Sequence, residues 1–437
     1  MRSKLLVKLI GVLAILSLVV AACGSGDNAS KSKKTGPSAG PSKNAGKAPA
    51  TVPGFDGSTI KLGVVTPLTG AVSVISLPLT YGSDVYWKGV NANGGVGGKY
   101  KVELKEEDSQ YQTPVATQAY DKIKGDVVAF QQILGTQITK ALLPKLQADS
   151  LSAAPATLDA EWVKNPSLFP IAGPYQIQAV NSLDYYIKNG GQGKKICAIA
   201  QDDEFGVAGL QGLDYAASKL HFTVAKTVKF TTVISGGGDV TAQIQQLSDA
   251  KCDLVFTVAT AADASSILTK SIALNFTPQV IALAPFWLSA FAQSPALQDF
   301  LVKHFWLASE GSYWGDPNIP GMTKMLADVQ KYKPDQKPDP YFGFGYAQAW
   351  AMDQILEKAV ADGDLSKEGI QRASNEVGTL KFDGLTGDYL YGSSAADRDP
   401  PRTSTVFKVD PSKPAGLDVL APTFASDAAK SYKFPKA

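Results

Sequence analysis

Residues 60–98 read IKLGVVTPLTGAVSVISLPLTYGSDVYWKGVNANGGVGG. The opening Ile60-Lys61-Leu62-Gly63-Val64-Val65 is a short apolar run, the pattern of a buried parallel strand. It ends in Thr66-Pro67-Leu68-Thr69-Gly70, rich in residues that interrupt regular structure. A helical pattern follows with Leu79, Tyr86 and Val90 on one face. Asn93-Gly94-Gly95 stops it, because Asn and Gly tolerate the left-handed conformation at a helix end. Residues 100–104 read as the next strand. Strand, loop, helix and strand make one βαβ unit, whose first loop lies at the carboxyl edge of the sheet, where ligands bind. The expectation is that later units repeat this plan and bring their exit loops round the same crevice.

Upstream, residues 1–23 carry a cationic front, Arg2, Lys4 and Lys8, and then an apolar run to Ala22. That reads as a secretory signal rather than a span of the finished protein. Val20-Ala21-Ala22-Cys23 has the form of a lipobox, in which the Cys23 thiol takes a diacylglyceryl group and becomes the new amino terminus. An ordinary signal or anchor with an incidental Cys is the alternative. Residues 24–55 are mostly Ser, Lys, Gly, Pro, Ala and Asn, and predict a disordered tether. A coil of that length spans roughly 30 Å and extends to about 100 Å. Its lysines either lie against an anionic membrane surface or only keep the tether soluble.

The chain has 437 residues and a formal net charge of +2. The first 54 hold eight of the 42 Lys and Arg and one of the 40 Asp and Glu, leaving 34 against 39 beyond them. A mildly acidic folded part argues against nucleic acid as a partner. Its size exceeds one ordinary core, so two lobes are expected.

Downstream the βαβ rhythm continues. Residues 127–130 read as a strand whose exit, Gln131 to Thr139, opens a helix with Leu142, Leu143 and Leu146 on one face. Gly135-Thr136 there offers free backbone N–H groups and a hydroxyl, which suits a carboxylate; the alternative is that Thr136 only caps its own helix. Glu106-Glu107-Asp108 is read as capping and loop structure, not as a metal site. Residues 195–200, 223–230, 252–259 and 279–283 read as strands of a second lobe, and 305–310 as a return strand. Their exits include Phe205-Gly206, Thr260, and Ala284-Pro285-Phe286-Trp287. Residues 341–360 form a long helix. With Cys23 lipidated, Cys197 and Cys252 remain. They open the first and third strands of the second lobe, which are neighbours in a doubly wound sheet, and this predicts a Cys197–Cys252 bond. Two buried thiols are the alternative.

Gly63-Val64-Val65, Pro67-Leu68-Thr69-Gly70 and above all Val90-Asn91-Ala92-Asn93-Gly94-Gly95-Val96-Gly97-Gly98-Lys99 resemble type I periplasmic binding proteins, and within them the branched-chain amino-acid branch of ABC-transporter solute-binding proteins. The resemblance runs from about Ser58 to about Pro411. It implies an α/β fold of two doubly wound parallel-sheet lobes joined by three crossovers. Lobe one would be 56–172 plus 310–383, and lobe two 173–309 plus 384–437. The family's ligand loop falls on Gly135 and Thr136, and its small residues and Thr on Ala154, Ala156 and Thr157. Its cleft-facing aromatic falls on Phe205. The first crossover falls at Phe169-Pro170-Ile171, without the Arg often found beside that Phe. In amino-acid binders the exit at Ala284 commonly provides a Glu for the ligand ammonium, yet no Glu or Asp stands between Gln279 and Ala296. That departure makes an aromatic or aliphatic acid the alternative to a branched-chain amino acid.

Catalysis has little support. The two histidines, His221 and His304, lie far apart in sequence, and neither a Gly-x-Ser-x-Gly elbow nor a Gly-x-Gly-x-x-Gly after the first strand is present. Gly236-Gly237-Gly238-Asp239 lacks the Lys of a phosphate loop. The reading is a monomeric, lipid-anchored receptor on the outer face of the cytoplasmic membrane, without metal or cofactor, that hands a small solute to ABC permease and ATPase subunits. A sensor of the same fold is the alternative. The expected ligand contacts are Ser76, Gly135, Thr136, Ala156 and Thr157 from lobe one and Phe205, Thr260, Phe286 and Trp287 from lobe two. Lobe one is expected to give the polar half of the site and lobe two the apolar half.

Overall fold

The computed structural model describes residues 46–436. The lipobox at Cys23, and the tether up to residue 45, lie outside the described residues. The chain docks onto the fold earlier than its composition suggests. Val52 pairs with Phe55, and the buried Phe55 ring meets Tyr100 edge-on at 5.1 Å.

Strands and helices then alternate as β1 (Thr59–Thr66), α1 (Ser73–Ala92), β2 (Lys101–Asp108), α2 (Thr113–Ile123), β3 (Ala129–Leu134), α3 (Thr136–Ala148) and β4 (Ala153–Ala156). The four strands form a parallel sheet in the order β2-β1-β3-β4. The apolar runs become its buried strands because helices cover the sheet. Two expectations shift here. α1 begins at Ser73 and carries Pro78 inside it, so the loop after β1 is short. β3 runs on through Gln131 and Gln132 to Leu134, and both Gln are buried. Gln132 Nε2 donates to Thr66 Oγ1 at 2.7 Å, so this amide is placed by the neighbouring strand.

The second alternation is α4 (Tyr175–Tyr186), β5 (Ile196–Gln201), α5 (Glu204–Leu220), β6 (Val224–Phe230), α6 (Thr241–Asp249), β7 (Leu254–Val258), α7 (Ala261–Ala273), β8 (Gln279–Leu283), α8 (Gln298–His304) and β9 (Phe305–Ser309). Next come α9 (Pro320–Tyr332), α10 (Pro340–Ala361) and α11 (Lys367–Glu376), and the short antiparallel pair β10 (Gly378–Leu380) and β11 (Tyr389–Gly392). β12 (Ser404–Val409) and β13 (Leu417–Phe424) complete a seven-stranded sheet ordered β13-β12-β9-β8-β7-β5-β6. β12 is antiparallel to both its neighbours, β9 and β13. Cys197 on β5 and Cys252 just before β7 form a disulfide, with their Cα atoms 5.9 Å apart.

α10 returns to the first sheet and packs along α1. The two helices approach closely at glycines: a Cβ on Gly82 would lie 2.1 Å from the Phe342 carbonyl oxygen, and one on Gly345 1.8 Å from that of Leu79. Ser83 Oγ donates to the Gly345 carbonyl at 2.9 Å, and the Tyr86 hydroxyl to Asp353 Oδ2 at 2.7 Å. The segments that link the lobes are tied to one another. Gly311 bridges Thr386, and the Tyr391 hydroxyl donates to the Pro170 carbonyl at 2.8 Å. The fully buried Arg398 donates to the carbonyls of Asn165 and Leu168, so an arginine distant in sequence serves the stretch before Phe169.

Candidate ligand-binding cleft

A cavity lies where the strand exits of the two sheets face each other. Its wall takes Val72 after β1, Tyr111 after β2, Leu134 to Thr136 at β3, and Ala156 to Leu158 at β4. From the second sheet it takes Phe205 after β5, Thr260 after β7, Ala284 and Pro285 after β8, and Ser309 and Glu310 at β9. Tyr175, Pro340, Tyr341 and Phe344 fill the sides.

One end is polar. Gly135 is the N-cap of α3 and adopts φ +110°, a region that favours glycine. A Cβ there would also meet the Tyr111 ring at 2.8 Å. Thr136 follows at the first helical position and does not cap its own helix. Instead its Oγ1 lies 2.6 Å from that of Thr157, and both residues are buried. The start of α3 thus presents backbone N–H groups and two coupled hydroxyls to the cavity, an arrangement suited to an anion.

On the opposite side Thr260 is the N-cap of α7, and its buried Oγ1 has no hydrogen-bond partner among the described residues. Its N–H donates to Gln201 Oε1 at 2.5 Å, while Gln201 Nε2 donates to Asp203 Oδ2 at 2.8 Å. Asp203 in turn caps α5 by accepting from the Gly206 N–H. One glutamine at the end of β5 therefore positions two helix starts at the cavity mouth. Phe205 lies edge-on to Tyr175 at 4.9 Å.

Glu310 is the one carboxylate on the wall, and no lysine or arginine lines it among the described residues. Gln178 Nε2 donates to Glu310 Oε2 at 3.1 Å. Burial pushes the Glu310 carboxyl up to about 7, and its bond from Ser309 offsets only part of that. The Tyr341 hydroxyl spans from α10 to the Trp287 carbonyl at 2.7 Å and holds the two sides together.

Six of the nine expected contacts, Gly135, Thr136, Ala156, Thr157, Phe205 and Thr260, line the cavity. Ser76, Phe286 and Trp287 do not. Ser76 is fully buried on α1 and donates to the Pro67 carbonyl, while Val72, Ile75 and Leu79, at helical spacing around it, face the cavity instead. After β8 a tight turn, Ala284–Phe286, leaves Ala284 and Pro285 at the wall and turns the rings into the core. Phe286 and Trp287 stack on Phe305 at 5.4 and 5.5 Å, and Trp287 Nε1 donates to the Ala415 carbonyl. Two large rings bury more surface in that core than at a cavity edge. The expected division of walls is also corrected: the aliphatic residues Val72, Ile75, Leu79 and Leu134 come from the first lobe, and the acid comes from the end of β9. Reading the sequence missed Tyr111, Tyr175, Glu310, Tyr341 and Phe344. Tyr111 and Glu310 follow strand ends, so the strand-exit rule applied to β2 and β9 would have found them. Among the described residues no group of three or more His, Cys, Asp or Glu is arranged to hold a metal ion.

The fold has close counterparts. A fatty acid ABC transporter substrate-binding protein from Thermomonospora curvata superimposes with a TM-score of 0.81 over 89% of this chain and 97% of its own, at 23% identity. A branched-chain amino acid ABC transporter protein from Thermus thermophilus with bound valine gives 0.70 over 85% and 98%, at 16% identity. At these identities the likeness is one of fold. By sequence, Leu/Ile/Val-binding protein homolog 3 of Brucella melitensis is 26% identical over 205 residues, which is 45% of this chain and 53% of that protein, so the match spans about half of the relative's length. The periplasmic binding protein family model matches residues 59–415, from β1 to the turn before β13. With the paired parallel sheets and the cavity at their facing edges, that match makes the chain a member of the periplasmic binding protein family, of type I.

Proposed function

We propose that the protein is an extracytoplasmic solute receptor of an ABC importer, held at the outer face of the cytoplasmic membrane by a lipid on Cys23. It binds a small carboxylate-bearing solute with an apolar body, and hinge closure buries that solute between the lobes. The observation that carries this reading is the cavity ringed by strand exits, mostly apolar, with the start of α3 and the Thr136–Thr157 pair at one end. The helix start favours the carboxylate, and the remaining wall takes the apolar body at about 25 cal/mol per Å² removed from water. The permease and ATPase would receive the closed form. A sensor would use the same cleft, and permease and ATPase genes beside this one would favour transport.

Two solute classes compete. The Thermomonospora curvata counterpart is named for fatty acids, and the Brucella melitensis relative for leucine, isoleucine and valine. The absence of an acid after β8 supports an aliphatic or aromatic acid. Glu310 supports the amino acid, because an ammonium group would find a buried carboxylate there. Calorimetry with leucine and 4-methylpentanoate separates them, since the two share a tail and differ in the ammonium. Tighter binding of 4-methylpentanoate is expected. Binding of leucine alone would transfer the site to amino acids, and binding of neither class would remove the reading.

A further inference from the structure

A second cavity adjoins the first. The two share Ala284, Ser309, Glu310, Pro340 and Phe344 in their walls. The second runs away from the start of α3 towards the linking segments, between Trp314, Met322 and Gly343 on one side and Phe407 and Leu417 on the other. Two of its polar side chains are engaged: Ser312 Oγ donates to the Gly384 carbonyl at 2.5 Å, and Thr386 Oγ1 to that of Glu310 at 3.3 Å; the Glu310 carboxyl and Tyr313 also line it. No lysine or arginine lines it among the described residues. The unpartnered hydroxyl of Thr260 and the helix start lie in the first cavity. The helix start that suits a carboxylate therefore belongs to the first cavity alone, while most of the second cavity's wall is apolar.

We propose that the second cavity takes the distal part of an unbranched alkyl chain whose carboxylate sits at Gly135, Thr136 and Thr157, so that the solute is an elongated fatty acid passing beside Phe344 and Ser309. This rests on the carboxylate reading of the first cavity and adds the length and shape of the tail. A compact branched side chain would fill the first cavity and leave the second unused. Phe344 is the one large ring on the shared wall, and it sits on α10 with its neighbour Gly343 facing only the second cavity.

Gly343 gives the test. A Cβ there meets nothing nearer than Met325 Sδ at 4.0 Å, and a helix interior prefers leucine to glycine, so Gly343→Leu narrows the second cavity in a folded protein. Calorimetry would compare hexanoate, decanoate and tetradecanoate on the full chain. In the parent protein, affinity is expected to rise at least about ten-fold from hexanoate to tetradecanoate. In Gly343→Leu, hexanoate should bind as before and tetradecanoate should lose at least about ten-fold. A crystal with ω-bromododecanoate, read by the bromine anomalous signal, should put the bromine beside Gly343. Hexanoate binding without any gain from a longer chain, or bromine at the cleft mouth, would overturn the tail cavity and leave the carboxylate site standing. No binding of any acid would overturn both.

Discussion

Thr136 and Thr157 share one hydrogen bond, and a carboxylate arriving at α3 would draw on both hydroxyls. Thr136→Val keeps the shape and removes one donor. It should cost an acid ligand about 1.5–3 kcal/mol by calorimetry, and an unchanged affinity would place the carboxylate elsewhere. Glu310 gives a test by pH. Its carboxyl is raised from 4.5 to about 7, so the folded state keeps a proton that the unfolded chain releases over that window. The stability it contributes is therefore complete below about 4.5 and is lost as pH rises through about 7. The charge of Glu310 is felt by the Tyr175 and Tyr341 hydroxyls, and burial raises both, so they stay neutral across the window. Melting curves from about pH 5 to pH 8 should show the parent protein losing stability relative to Glu310→Gln. Parallel profiles would show that Glu310 does not titrate there. These residues mark the limit of what the sequence discloses. Gly135 and Thr136 could be placed because a strand exit opening a helix offers free N–H groups and a hydroxyl, and because the family's ligand loop falls there. Phe286 and Trp287 could not, because a ring at a strand exit turns to the core or the cleft according to backbone angles that composition does not encode.

The strand and helix alternation was legible almost throughout, since apolar runs between Gly- and Pro-rich exits have one economical arrangement in a parallel sheet. Errors fell where a polar side chain is buried against its neighbour, as at Gln131 and Gln132 in β3, or where a proline sits inside a helix, as Pro78 does in α1. β13 and α9 went unread, because nothing in either stretch signals its partner. The disulfide ties β5 to the entrance of β7 and closes a loop of 55 residues. In the chain-entropy account such a link contributes about 2–4 kcal/mol. Replacing both Cys197 and Cys252 by Ala should lower the denaturant midpoint accordingly, with a somewhat steeper slope because the freed unfolded chain exposes more surface. A midpoint equal to that of the parent would show that the sheet needs no such restraint.

Between the lobes, the Tyr341 hydroxyl on the Trp287 carbonyl joins α10 to the turn after β8. In the proposed hinge closure this bond would form as those two surfaces approach and break as they part. Tyr341→Phe should weaken ligand binding through closure, by about 0.5–1.5 kcal/mol, and small-angle scattering should show a larger ligand-free radius. If affinity falls with no change in scattering, Tyr341 acts on the ligand directly. In thermal denaturation, a true ligand at about one hundred times its Kd should add about 2.7 kcal/mol of stability.

The packing of α10 on α1 has a bearing on how the chain becomes folded. Ser83 and Gly345 are 262 positions apart, yet their helices meet at backbone distance. A chain that emerges amino terminus first shows β1, β3 and one face of α1 to its surroundings before the covering helix exists. Between β5 and β7, by contrast, the chain itself supplies α5, which packs on both. Long-range closure is slow because the loop entropy is lost before the contacts form. Pulse-labelled hydrogen exchange should therefore find β5, β7 and β8 protected earlier than β1 and β3. The first lobe would then be the last part of the molecule to be completed, because the helix that covers α1 comes from far down the chain.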